Sequence, residues 1–193
     1  MSVEIHTYVP AVDDLLLPRW LSEMKKLGMD CEIHPEVSLV SHSGFLPFKI
    51  CIHDSAHEEL NGVEFLTGFE YYIDDFSFEA ELEKRVPKPR GLGRLFGRKE
   101  PLQPYARAEI DEKLKKCRKL LTFAWGSADL FELRMATVSS AILAVITGGV
   151  SSPADDNWND QPDAVAEALA EAREYENSLK AKDIKVHRFE GWL

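Results

Sequence analysis

Hydrophobic and polar residues alternate along several short segments of the chain. In residues 3–9, Val, Ile and Thr side chains share one side of an extended chain, and Glu, His and Tyr share the other. The same two-residue period occurs in residues 48–53 and 65–73, whereas residues 120–125 are apolar on both sides. Alternation is typical of a strand with one buried face, and an apolar run is typical of a central strand. With a short segment at residues 31–34, the pattern predicts about five strands.

Apolar residues recur at helical spacing in four other segments, residues 18–28, 105–117, 129–146 and 162–175. Pro18 suits the first turn of the first helix, and Gly28 suits its end. The third helix opens with Asp129 and Glu132 in the spacing of a capping box. It is almost wholly apolar after Arg134, so we predict that it is the buried helix.

These elements predict the fold class. Residues 54–62 join two of the strands and end in Asn61-Gly62, a dipeptide common in tight turns. Residues 184–189 are predicted to form a last strand or an extended tail. We therefore expect one domain over residues 1–193 with an α/β (α+β) fold, in which helices pack against a mixed, mainly antiparallel sheet of about five strands.

The composition narrows the class of partner. The chain has 193 residues, of which 45% are hydrophobic and 29% are charged, as in globular proteins. Acidic residues outnumber basic ones by 33 to 23, and the formal net charge is −10. Nucleic acids and anionic membranes are bound mainly by Lys and Arg, so this balance disfavours both. An acidic surface favours association with a basic protein.

Three features predict a cytoplasmic location. The first residues, MSVEIH, lack the basic and apolar regions of a signal peptide. The longest apolar stretch, residues 141–146, is much shorter than the roughly 20 residues that span a bilayer. The three cysteines (Cys31, Cys51 and Cys117) are odd in number and far apart, which fits buried thiols in a reducing compartment.

Residues 84–99 differ in kind from the rest of the chain. They contain seven basic residues and no acidic one, interrupted by Pro and Gly. This composition predicts an exposed, mobile loop over residues 84–104 that is a linker, docks on RNA or an acidic partner, or folds back on the acidic body. The glycines at 91, 93 and 97 have the spacing GxGxxxG and follow no strand, so they do not match the dinucleotide motif, and we predict no cofactor.

The chain contains no P-loop, HExxH, GxSxG or CxxC motif. Cys51 and His53 share one face of a strand and His57 follows closely, but zinc needs three or four converging ligands, and only His42 is near enough to be a fourth. Cys31 or Cys51 paired with a histidine would be a possible nucleophile. Nothing local lowers the pKa of either thiol, so inert cysteines and no metal are the favoured interpretation.

The last predicted helix has an acidic outer face. Its predicted inner face consists of Val165, Ala168, Leu169, Ala172 and Tyr175. On the outer face, like charges repeat at four-residue spacing, which costs about 0.2–0.5 kcal/mol per pair. Such a face is either simply solvated or complementary to a basic protein. The predicted partner-binding residues, on this helix and just before it, are Asp155, Asp156, Asp160, Asp163, Glu167 and Glu171.

Four short motifs carry a resemblance to a known group of proteins. They are Ser43-Gly44-Phe45-Leu46-Pro47-Phe48, Gly68-Phe69-Glu70-Tyr71-Tyr72, Phe123-Ala124-Trp125-Gly126 with Glu132 after it, and Thr147-Gly148-Gly149-Val150. The chain resembles bacterial immunity proteins of type VI secretion and polymorphic toxin systems over roughly residues 3–177 without the basic segment. An Asp-Pro pair often follows the last motif in that group, whereas Ser151-Ser152-Pro153 stands here.

The resemblance implies a cytosolic immunity protein that binds a cognate secreted toxin, or effector, with a basic surface and occludes its active surface. One alternative is a small hydrolase that uses a carboxylate cluster such as Glu70, Asp74 and Asp155, because paired acids can act as general acid and base. A second alternative is an adaptor or chaperone that delivers an effector to a secretion machine through the basic segment. A large secreted protein encoded next to this chain would favour the first interpretation.

Overall fold

The computed structural model describes residues 3–55, 57–85, 105–126, 129–154, 157–161 and 163–192. The strands are β1 (Val3–Val9), β2 (Met29–Ile33), β3 (Gly44–Ile52), β4 (Glu64–Asp75), β5 (Lys119–Trp125), β6 (Val150–Ala154), β7 (Asn157–Asn159) and β8 (His187–Arg188). The helices are α1 (Leu16–Lys26), α2 (Phe78–Arg85), α3 (Ala108–Leu114), α4 (Glu132–Thr147) and α5 (Ala164–Ser178). Among these residues, no helix has the length and apolar composition needed to cross a bilayer.

The eight strands form one sheet, in the order β2-β3-β4-β5-β1-β6-β7, with β8 paired to β4. The predicted α+β class is confirmed. The sheet has more strands than the five expected, and every strand pair described is antiparallel. The additional strands β6 and β7 are short, and the register of their pairing shifts between Ser151 and Ala154. They carry no alternating apolar pattern, so the sequence gives no local signal for them.

One face of the sheet, the covered face, packs against α1, α4 and α5. Alternate residues of the strands point to this side, so the ring of Phe48 contacts Trp20 of α1 and the ring of Phe65 contacts Phe131 just before α4. α4 lies against the sheet with α5 packed on it, and nearly all of its side chains are buried. The predicted buried helix is therefore confirmed.

Among the described residues, the opposite face of the sheet is covered only at its two ends. At one end, α2 and α3 pack on Tyr8 and Val150 through a second apolar cluster that includes Phe78 and Ile110. At the other end, the C-terminal segment crosses the sheet, and the ring of Phe189 lies beneath the ammonium group of Lys49. Between these two covers lies the middle of the face, which is termed the open sheet face below.

The helix ends follow the local signals closely. Gly28 has φ +81° just after α1, and Gly148 has φ +69° at the end of α4, a left-handed conformation that glycine adopts without strain. At the start of α4, the carboxylate of Asp129 accepts hydrogen bonds from the backbone N–H groups of Phe131 and Glu132 at 2.7 and 3.1 Å. Asp129 thus binds N–H groups at the start of α4, but the predicted capping box was wrong, because the N-cap residue is Phe131 and Glu132, the first residue of the helix, accepts a hydrogen bond from the N–H of Gly126.

Two predicted boundaries were wrong. The helix expected over residues 105–117 is only Ala108–Leu114, because Asp111 accepts hydrogen bonds from the backbone N–H groups of Tyr105 and Ala106 and holds them outside the helix. Lys84 and Arg85, which were expected in the basic loop, are the last two residues of α2. Residues 86–104, including the glycine-rich motif, lie outside the described residues.

Candidate partner-binding surface

The structure separates the six predicted partner-binding residues into three groups. Asp155 and Asp156 lie outside the described residues. Asp160 follows β7 and is engaged in ion pairs within the molecule. Asp163, Glu167 and Glu171 lie at the start and on the outer side of α5, and all three are exposed.

Asp160 is held by two basic residues of the α3 region. Its carboxylate, only 8% exposed, pairs with Arg107 and accepts a contact from Lys113 Nζ at 3.0 Å. Partial burial acts to raise the pKa of Asp160, but the hydrogen bond from Lys113 and the charges of Lys113 and Arg107 outweigh it, and the pKa lies below its usual value. Asp160 therefore joins β7 to α3 through ion pairs within the molecule, and its part in binding a partner stays a prediction.

Lys113 stands four residues after Glu109 on its own helix, a spacing that permits an ion pair along the helix. It reaches Asp160 instead, while Lys115 pairs with Glu112 three residues earlier. Ion pairs along an exposed helix are weak, so a longer-range partner readily displaces them.

The exposed acidic stripe of α5 consists of Asp163, Glu167, Glu171 and Glu174. The only basic residue in the helix, Arg173, is directed away from the stripe and pairs with Asp54 in the loop after β3. Within the described part of the chain, the structure shows no Lys or Arg paired with any member of the stripe. The stripe is thus an exposed patch of negative charge.

A small cleft of about 140 Å³ lies beside the stripe, between α4, α5 and the β6–β7 edge of the sheet. Glu167 and Glu171 are among the residues that line its α5 side, and Thr137, Ser140 and Ser151 are among those that line the other sides. Glu167 also accepts a hydrogen bond from the side-chain amide of Asn159 at 3.0 Å, which ties β7 to α5. The part of α5 that carries the stripe is thus held to strand β7 by a hydrogen bond.

The inner face of α5 differs from the prediction at one turn. Leu169 and Ala172 are buried as expected, but Tyr175 is 36% exposed and Glu176 is buried. The carboxylate of Glu176 faces α4 and pairs with Arg134, which is itself fully buried. Sequence reasoning missed this pair, since a glutamate in an acidic helix is indistinguishable from a surface residue until its partner is placed.

The candidate metal cluster does not assemble. Cys51 Sγ and Asp30 Oδ2 both approach His53 Nε2, at 3.8 and 3.1 Å. His57 is directed elsewhere, with Nε2 3.2 Å from the carbonyl oxygen of Glu176. Among the described residues, no group of three or more His, Cys, Asp and Glu side chains is arranged to hold a metal ion.

The surroundings of the three thiols disfavour the reactive thiolate form. Burial raises the pKa of Cys31 to about 12 and that of Cys117 to about 11. Burial also raises the pKa of Cys51, with a further contribution from the nearby charge of Asp30. Since the thiolate is the nucleophile, these shifts oppose a cysteine-based reaction at neutral pH.

Two of the three carboxylates considered for hydrolysis, Glu70 and Asp74, lie on β4, on the same side of the sheet as the open sheet face. Glu70 accepts a hydrogen bond from the hydroxyl group of Tyr72 at 3.1 Å, and Asp74 is exposed. Neither lines the cleft beside α5 or the larger groove of about 480 Å³ between α1 and β2. Asp155, the third member of that group, lies outside the described residues.

The sequence motifs noted above meet in the sheet. Phe45 of the first motif pairs with Glu70 of the second, and Glu70 pairs with Ala124 of the third. Comparison with known proteins found no match of this chain to a protein-family model, to a curated protein or to a solved structure.

Proposed function

We propose that this protein is a cytosolic immunity protein that binds a cognate secreted toxin and occludes its active surface. The observation that supports it most is the acidic stripe of α5, whose charge is left without a basic partner in the described residues. Two like-charge pairs, Asp163 with Glu167 and Glu167 with Glu171, oppose helix stability, and within the described part of the chain none of these three residues forms an ion pair. Attraction to a basic surface gives these charges a function.

Electrostatic attraction would act first on the rate of association. A protein with net charge −10 attracts a basic partner over a distance of about 10 Å at moderate salt, and clustered charge orients the encounter. Inhibition then requires only that the complex cover the active surface of the toxin. A toxin of this kind acts inside the cell, where the immunity protein resides.

The test uses the toxin domain encoded by a neighbouring reading frame. We expect one-to-one neutralisation and a dissociation constant that increases by about tenfold in the double variant Glu167→Gln/Glu171→Gln, mainly through slower association. In this variant both side chains keep nearly the same size. Position 167 also keeps a side-chain oxygen that can accept the hydrogen bond from the Asn159 amide. Glu58→Gln/Glu59→Gln, which removes two exposed acids from the loop between β3 and β4, is the matched control and leaves binding unchanged.

Two outcomes would contradict the proposal. Protection at far less than one immunity protein per toxin, with product formed at each turnover, would indicate the hydrolase. Binding without neutralisation, together with loss of effector export when the chain is deleted, would indicate the adaptor. Unchanged affinity in the α5 double variant would remove this helix from the interface.

A further inference from the structure

The open sheet face combines exposed aromatic rings with carboxylates. Its residues come from five neighbouring strands, β3, β4, β5, β1 and β6, and cross-strand pairing places them in two adjacent rows of four. The first row consists of Phe45, Glu70, Ala124 and Glu4, and the second of Tyr72, Thr122, His6 and Ser152. Residues in register on antiparallel strands have Cβ atoms about 5 Å apart, so the members of each row are neighbours, although Ala124 and Ser152 are themselves buried.

Two aromatic side chains stand out from this surface. Phe45 is 47% exposed and Tyr72 is 39% exposed, although most other large apolar side chains of the sheet are buried. The ring of Phe45 lies over Gly68 on the neighbouring strand, where an added Cβ atom would come within 2.7 Å of Cζ. Part of the exposure of Phe45 is thus explained by covering a glycine, whereas the exposure of Tyr72 has no such explanation.

Carboxylates flank the two rings. The Tyr72 hydroxyl donates to Glu70, and the pKa of Tyr72 is raised by this hydrogen bond and by the charges of Glu70 and Glu4. Glu4 approaches only His6, at 3.9 Å. Across the described residues, neither glutamate is paired with Lys or Arg. The face therefore presents negative charge next to accessible π-systems.

This combination suits one kind of side chain. An Arg or Lys cation is attracted to the face of an aromatic ring and, at the same time, to a carboxylate beside it. Aromatic residues also account for much of the affinity at protein interfaces, because they bury a large area with few rotatable bonds. A neutral or acidic partner would leave Glu4 and Glu70 desolvated without compensation.

We propose that the open sheet face is a second docking surface, which binds a basic partner protein through Arg or Lys side chains inserted between Phe45 and Tyr72 beside Glu70. That the partner is a toxin rests on the proposed function; the choice of surface and of side-chain chemistry does not. α5 packs on α4 on the covered side of the sheet, so this surface and the acidic stripe lie on opposite sides of the sheet. Variants of the two surfaces can therefore be told apart.

The experiment measures binding of the neighbouring toxin domain to Tyr72→Ala, Tyr72→Phe and Glu70→Gln. Tyr72→Ala increases the dissociation constant by about tenfold or more, mainly through faster dissociation, whereas Tyr72→Phe, which keeps the ring, changes it by less than about threefold. Glu70→Gln slows association and reduces its dependence on salt. Leu15→Ala, at an 83% exposed position before α1, is the control and leaves affinity unchanged.

The test uses variants of Tyr72 and not of Phe45, because Phe45→Ala would also uncover Gly68. The thermal midpoint of each variant shows whether its fold is intact. A contrary outcome is that the dissociation constants of Tyr72→Ala and Glu70→Gln lie within about twofold of the parent value while that of the α5 double variant does not. In that case the open sheet face does not bind the toxin, and the proposed function stands. If the toxin domain does not bind the parent protein, the proposed function fails.

A second probe then decides on the surface alone. Nona-arginine titrated against isotope-labelled protein shifts the amide signals of Phe45, Tyr72 and Ala124 if the surface binds basic side chains. Shifts confined to α5 overturn the inference. Two other occupants would also overturn it: a second copy, detected as a dimer that Tyr72→Ala dissociates, and the chain's own basic segment, detected as tighter toxin binding after Arg90→Ser/Arg94→Ser.

Discussion

The guanidinium group of Arg134 and the carboxylate of Glu176 form a bidentate ion pair between α4 and α5. Nε donates to Oε1 at 2.7 Å and Nη2 donates to Oε2 at 2.5 Å, and both side chains are excluded from solvent. The remaining Nη1 donates to Asp54 Oδ1 at 2.9 Å, and Asp54 also pairs with Arg173. Two helices and the loop after β3 are thus joined through one buried cation.

Removing one partner of this pair should destabilise the fold strongly. Glu176→Gln leaves the buried guanidinium group with Asp54 alone, and we expect the free energy of unfolding to fall by about 3 kcal/mol, the lower end of the range for a broken buried pair. Urea unfolding followed by circular dichroism measures the change.

Replacing both partners should be much less harmful. In Arg134→Met/Glu176→Leu, two apolar side chains fill a similar volume and no buried charge remains on either helix, so most of the lost stability returns. A double variant as unstable as Glu176→Gln would show that the pair contributes more than mutual neutralisation.

Asp129 should make stability depend on pH. Burial raises its pKa to about 6, partly offset by hydrogen bonds from Phe131 and Thr67, compared with 3.8 in a solvated aspartate. Because the folded state holds the proton more tightly, this group's contribution to stability is complete below pH 4 and is lost as the pH rises through 6. We expect the loss to be on the order of 2 kcal/mol.

The measurement compares the parent protein with Asp129→Asn, which keeps an oxygen acceptor for the start of α4. The stability of the parent relative to the variant should decline between pH 4 and pH 7 in urea titrations. A difference that stays constant over this range would mean that Asp129 is ionised in the folded protein throughout.

Gly149 is required by a close backbone approach. A Cβ atom at this position would lie 2.2 Å from the carbonyl oxygen of Tyr8 and 3.1 Å from Val9 Cγ1. Gly149→Ala therefore forces α4 and β1 apart, and we expect a destabilisation of about 2 kcal/mol. Gly126→Ala is the matched control, because the nearest atom would be Glu132 Oε2 at 3.8 Å. Equal thermal midpoints for the two variants would contradict this account.

The cysteines should resist thiol reagents in the folded state. With pKa values of about 12 and 11, Cys31 and Cys117 hold almost no thiolate at pH 8. We expect Ellman's reagent to modify them only as the protein unfolds, and Cys51, which is less deeply buried, to react first. Peptide mapping after timed labelling identifies each site; rapid native labelling of Cys31 would refute the prediction.

Local sequence signals predicted many of the elements. The alternation in β1, β3 and β4, the apolar β5, the capping carboxylate of Asp129 and the glycine after α1 all depend on residues near one another in the chain. Strands β6 and β7 were missed, because their pairing is set by neighbouring strands and not by their own composition.

The candidate site was only partly predictable. Glu167 and Glu171 lie on the exposed side of α5, as helical periodicity indicated. Asp160 pairs with Arg107, which is 53 positions away in the chain. A local sequence pattern does not indicate a partner at that separation. The sequence did not identify the open sheet face. Alternation assigns Phe45 and Tyr72 to a face of the sheet, but it does not show whether other elements cover that face.

The sequence by itself determined the strands with strong alternation, the helix termini and the acidity of α5, since these depend on periodicity and on contacts within a few residues. Only the tertiary structure decided which charges are neutralised and which face of the sheet is left uncovered. Arg134 meets Glu176 across 42 positions of the chain. Such a pair forms only when packing brings the two helices together. Helix and strand periodicity relates residues that are close in the chain, so it does not indicate this contact.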